Sequence, residues 1–189
     1  MSEMTANAPQ RRRTAILVEG GIMIALSTVL SMIKFLQLPY DGSITLLSMF
    51  PVLIFAYRHG TKWGLLCGFA HSLLQLLLGL NALKGISAAT LIGAIVLDYL
   101  LAFTVLGLCG LFRGRKNGFI LGTIVCLVLR FLCHYVSGVI LWGVWAPEGM
   151  SAYLYSLIYN GSYMGVELIT HTIAAVIFSK TSALSKYLR

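Results

Sequence analysis

Along the chain, apolar and polar positions separate into six apolar runs, at about 15–36, 43–57, 63–79, 88–112, 117–143 and 153–178, divided by charges, glycine and proline. A helix needs about 20 mostly apolar residues to cross a hydrocarbon core about 30 Å thick, and most of these runs approach or exceed that length. The second run is short, and Pro51 removes a backbone donor inside it, so a tilted, broken or partly re-entrant segment is expected there. The stretches 34–43, 79–87 and 144–152 are rich in glycine, proline and polar residues and read as turns at one surface. The pattern predicts an all-α membrane protein: a disordered basic tail over 1–13, then a single domain of six transmembrane helices over 14–189, with no internal repeat.

Composition strengthens this reading. Hydrophobic residues make up 58% of the 189 and charged residues only 11%, against about 25% charged in soluble domains, and the mean hydropathy is +0.87. Six spans in a chain of this length leave no room for a soluble catalytic domain. The formal net charge of +8 would raise the question of a nucleic-acid partner in a soluble protein. Here Arg11, Arg12, Arg13, Arg58, Lys62, Arg113, Arg115, Lys116, Lys180, Lys186 and Arg189 fall in the tail, alternate loops and the C-terminus. That is the positive-inside pattern, with both termini cytoplasmic in a multi-pass protein of the cell membrane and no role for nucleic acid. The first apolar run resembles a signal-peptide core, but five more follow it, so it is read as a retained helix. Cys67, Cys109, Cys126 and Cys133 lie in apolar stretches without a CxxC pair, which supports neither a disulfide framework nor a metal site.

Ionisable and polar groups are expensive inside a membrane, which makes each one within a run a candidate for function. In "RFLCHYVSGVILW", Arg130, His134, Gly138 and Trp142 recur every four residues, a slowly drifting stripe on one helix face. With the N-terminus inside, His134 sits about two thirds of the way out along its span, Asp98 and Tyr99 about a third of the way in from outside along theirs, and Tyr155 and Asn160 in the first turns of the last. Carboxylate, imidazole, amide and aromatic groups from three helices therefore share one depth. A pocket so lined suits a flat, cationic heteroaromatic ligand: the carboxylate balances charge, the rings stack, and the polar groups read ring nitrogens, while Gly138 leaves room for close approach. Taken singly, each has a structural reading as well. Asp98 fits a salt bridge to Arg130 or Lys84, His134 and Asn160 fit interhelical hydrogen bonds, and Trp142, Trp145 and Tyr155 fit an interfacial aromatic belt.

Three further pairs stand out. Glu167 and His171, one turn apart, fit an internal hydrogen bond better than a proton relay. His71 and Gln75 share the same spacing, and Gln75 lies near enough to the outer third to reach a ligand. Gly21 and Ala25, four apart in the first run, permit close helix approach, either within the bundle or by another membrane protein.

The stretch "LRFLCHYVSGVILWGVWAPEGMSAYLYSLIYNGSYM" (129–164), with "LDYLLAF" (97–103) and "GSITLLSMFPVLIFAYRHGTKWGL" (42–65), resembles the thiamine-binding S components of energy-coupling factor (ECF) transporters. The resemblance covers nearly all the chain after the tail. It implies a six-helix subunit that captures thiamine outside and passes it inward with a module of one transmembrane coupling subunit and two ATPases. By position, His134, Gly138, Trp142, Tyr155 and Asn160 match residues lining the family's thiamine pocket, and Tyr99 matches the aromatic beside its acidic residue. Asp98 falls where the family's best-described pockets carry a glutamate, placing the carboxylate one methylene further back. The first outer loop lacks the tryptophan found in some members, leaving Tyr40 as its candidate lid aromatic. Arg130 stands where a lysine occurs in the family, one turn below His134 and placed to hold Asp98. Gly21 and Ala25 match small residues of the family's coupling surface.

No GxxxxGK[ST] phosphate loop is present, so an ATP-driven step belongs to partners, and no cofactor is implied. An S component for another small vitamin or thiamine precursor is the alternative within the class. An intramembrane enzyme using Asp98, His134 or the Glu167 and His171 pair is the alternative outside it, against which stands the absence of HExxH and GxSxG motifs.

Overall fold

The computed structural model of the protein describes residues 8–38 and 42–188. Helix α1 (Ala8–Met32) leads into a hairpin of β1 (Lys34–Gln37) and β2 (Ser43–Thr45). Helices α2 (Phe50–His59) and α3 (Thr61–Gly79) follow, then α4 (Ala88–Phe112) and α5 (Gly118–Ile140). The long α6 (Ala152–Lys180) and a short α7 (Ser182–Tyr187) complete the chain. The first helix starts at Ala8, so Arg11, Arg12 and Arg13 stand on its first turns; residues 1–7 lie outside the described residues.

Among the described residues five helices, α1, α3, α4, α5 and α6, are long and apolar enough to cross a membrane. The expected second span takes a different form. Residues 43–45 are extended and paired with β1, Leu47 adopts a left-handed turn at φ 52°, and helix begins only at Phe50. Pro51 does not kink this helix but starts it, since the first turn has no partner for the N–H that proline lacks. Ten residues rise about 15 Å, half the hydrocarbon thickness. Six of the ten, Pro51 to Ala56, are buried, so α2 is a core element wrapped by the others.

Contacts at the two ends fix the threading. At one end Glu19 of α1 pairs with Arg58 (2.7 Å) and His59 (3.0 Å) and accepts from the Tyr187 hydroxyl (2.7 Å). The Arg58 guanidinium also lies 4.1 Å over the Tyr187 ring. At the other end the hairpin meets α6, Gly79 of α3 meets Tyr99, and Gly93 of α4 meets Leu141. The segments thus alternate in direction, and the charge pattern makes the Glu19 end cytoplasmic.

Met49, Val52, Leu53, Phe55, Leu106, Phe119, Cys109 and Cys126 form the centre of the core, in the cytoplasmic half. All four cysteines are free thiols.

Candidate functional site

Asp98 and Tyr99 lie in a π-helical stretch of α4, Ile95–Leu101, between α-helical turns on both sides, with a 3-10 stretch, Val105–Phe112, ending the helix. Such wide turns are uncommon and concentrate at functional sites, because they redirect a side chain without ending the helix. The Asp98 carboxylate crosses to α5. One oxygen lies 3.1 Å from His134 Nδ1, and the other accepts from the Ser137 hydroxyl at 2.7 Å and the Trp142 indole N–H at 3.0 Å. The indole N–H is shared with Ser137 Oγ at 3.1 Å. Trp142 reaches this point because α5 ends at Ile140, so its ring folds back over the helix terminus. Among the described residues no lysine or arginine pairs with Asp98; its charge is met by a hydroxyl, an indole and an imidazole.

With His134 Nδ1 donating to Asp98, the tautomer this contact favours, Nε2 is left as an acceptor. That nitrogen is buried and has no partner among the described residues. Asn160 sits behind it. Its amide nitrogen donates towards His134 O (3.3 Å), Ser156 O and Ser156 Oγ (3.1 Å each), and its oxygen accepts from the Tyr163 hydroxyl at 3.0 Å. Gly138 is where α5 and α6 close on each other: a Cβ there would strike Ser156 Oγ, so the room expected for a ligand is taken by the neighbouring helix. Tyr155 stacks on Tyr159, with ring centroids 5.9 Å apart and 26° between the planes, and Tyr159 meets Tyr163 edge-on.

Asp98, His134, Trp142 and Asn160 therefore form one hydrogen-bonded group, and Tyr155 begins an aromatic row beside it. Tyr99 turns to the other flank, where its hydroxyl donates to Gly79 O at 3.4 Å. Gln75 donates to Ser31 of α1 at 3.0 Å, tying α3 to the first helix. Arg130 does not hold Asp98: it pairs with Glu167 at 3.3 Å and lies 4.4 Å over the Phe103 ring. Glu167 and His171 do share a bond, but it runs from the imidazole Nδ1 to the Glu167 carbonyl oxygen (2.7 Å), which frees the carboxylate for Arg130. Tyr40 falls outside the described residues. Gly21 and Ala25 are exposed on α1, and a Cβ on Gly21 would meet nothing within 4 Å. Among the described residues no three His, Cys, Asp or Glu side chains gather as a metal would require.

Ser137, Ser156, Tyr159 and Tyr163 escaped the sequence reading. Ser137 had a signal, since three residues after His134 is the same helix face. Serine inside a membrane helix carries little weight alone, because it commonly bonds its own backbone.

A bundle of membrane-crossing helices with a carboxylate, an unpartnered imidazole nitrogen and aromatic rings gathered near its outer end fits a membrane protein that binds a small solute. Residues 17–186 match the model of the thiamine transporter protein family. The thiamine transporter ThiT of Bacillus subtilis is 30% identical over 171 residues, covering 82% of this chain and 85% of that protein. ThiT of Lacticaseibacillus paracasei is 27% identical, covering 80% of each. The solved structure of ThiT from Listeria monocytogenes superposes with a TM-score of 0.77 at 27% identity, over 94% of this chain and 98% of that one. The chain belongs to the thiamine transporter protein family. It is a multi-pass protein of the cell membrane and a transporter, not an enzyme.

Proposed function

We propose that this protein binds thiamine from the outer face, in the site formed by α4, α5 and α6 beneath the first outer hairpin, and delivers it inward with an ECF module. The observation that carries this reading is Asp98: a carboxylate within a membrane helix, set among rings, with no lysine or arginine among the described residues to balance it. A thiazolium supplies the missing positive charge, and the Trp142 and Tyr155 rings supply stacking and cation–π attraction. His134 Nε2 offers an acceptor to the aminopyrimidine N–H. Asn160 reaches the ligand by exchanging one of its Ser156 contacts.

Gly21 and Ala25 on the exposed face of α1 are the proposed docking surface for the module's transmembrane subunit, whose two ATPase partners drive release. The test is a titration of the purified protein, prepared from thiamine-free cells, by tryptophan fluorescence. Saturable quenching by thiamine, weakened in Asp98→Asn, is expected. A response confined to the free pyrimidine or to another vitamin overturns the substrate, and turnover of bound thiamine overturns the binding role.

A further inference from the structure

The hairpin docked on α6 beside the site is a small structure. Two strands of four and three residues, with an irregular register between Lys34 and Leu36, do not hold a shape or a position alone. Its attachments to the bundle are therefore decisive, and two are made to α6. Near the tip, the Gly42 N–H donates to the Tyr159 hydroxyl at 3.1 Å. At the base, Thr45 donates twice to one oxygen of Glu167, from its backbone N–H at 3.1 Å and its hydroxyl at 2.8 Å.

The other Glu167 oxygen takes Arg130 of α5, whose guanidinium also contacts Met49 Sδ at 2.7 Å, at the residue capping α2. Glu167 is 3% exposed and Arg130 8%. A charge so deep is costly unless well partnered, and here each oxygen has a separate task, one facing the hairpin and the other the bundle. An amide cannot replace it. Glutamine presents an acceptor on one side only and would turn its NH₂ towards either Arg130 or Thr45, both donors.

We propose that Glu167, held by Arg130, is the latch that keeps the hairpin seated over the binding site, a positioning residue that sets how long a bound ligand is retained. The inference rests on the thiamine-binding reading for its ligand, while the latch itself is tested without one. Closing a lid lowers the escape rate of what lies beneath it, and differences among variants of one site fall mainly in dissociation. Cutting the latch therefore speeds release and leaves the recognition chemistry at Asp98 and His134 as it is.

The experiment uses the full chain in nanodiscs with Thr45→Val, which removes only the hydroxyl, and Glu167→Gln. Stopped-flow fluorescence with thiamine is expected to show dissociation about tenfold faster, with association within about twofold of the parent and thiamine still preferred over its free pyrimidine to the same degree. In parallel, Ile44→Cys is labelled by a membrane-impermeant maleimide without ligand; labelling is expected to accelerate when either latch change is added. Unchanged labelling overturns the latch, whatever thiamine does. Faster labelling with unchanged dissociation shows a hairpin that moves without retaining ligand, and overturns the functional half. If the parent binds no thiamine at all, the proposed function fails, and the labelling result still decides whether the latch exists. Thr45→Val, which leaves the buried Glu167–Arg130 pair intact, guards against the outcome in which Glu167→Gln fails to fold.

Discussion

In the cytoplasmic half of the bundle, α3 and the end of α4 touch backbone to backbone: a Cβ on Gly64 would lie 2.6 Å from Gly107 O, and one on Gly107 or Gly110 would collide with the chain at Leu65 or Thr61. In the outer half the same two helices are spaced by side chains, with Tyr99 reaching across to Gly79. The helix itself differs between the halves. It is wound tightly as 3-10 turns where the glycines meet and loosely as π turns where Asp98 emerges. Close packing with little polarity gives a frame that does not rearrange. Polar groups clustered in a looser region give a site whose bonds can be exchanged for those of a ligand. One helix thus changes pitch along its length, to serve as frame at one end and, in the proposed function, as receptor at the other.

If that division is right, the largest effect should come from the frame. Gly107→Val places branched carbons into the backbone of α3, and no monodisperse protein should be recovered by size-exclusion chromatography in detergent. In the outer half the fold should survive while binding fails. Asp98→Asn is expected to weaken thiamine binding by about 2 to 5 kcal/mol, with the thermal melt of the unliganded protein changed far less. Equal losses in both quantities would erase the contrast between frame and receptor. Ser137→Ala removes one of the donors to Asp98 and is expected to cost about 1 kcal/mol of affinity by isothermal titration. Changing Gly21 and Ala25 together to Trp alters neither half, so binding should stay within about twofold while uptake by cells is lost; loss of both would mean that α1 is part of the frame.

The long spans were legible because membrane helices announce themselves by length and hydropathy, and the grouping of Asp98, His134, Trp142 and Asn160 was legible because polar residues at one depth are conspicuous in apolar runs. The sequence flagged the shortness of the second run and Pro51, yet not the hairpin, since β pairing depends on a partner strand and not on local periodicity. The partner of Arg130 was missed for a related reason. Glu167 was weighed only with His171, its neighbour one turn along, and it is the packing of α6 against α5 that brings its carboxylate to Arg130. Helix rotation likewise turned Tyr99 and Gln75 away from the group that their depth suggested they would join.

The π stretch at Ile95–Leu101 amounts to a local surplus of chain within a helix whose flanks are already fixed. Deleting a single residue from it would relax the turn to ordinary α pitch and leave Gly107 and Gly110 seated as before, while swinging the carboxylate out of line with His134 and Trp142. In the proposed site the aim of the carboxylate thus depends on a wide turn of α4, a geometric requirement that neither Asp98 nor its hydrogen-bond partners meet by themselves.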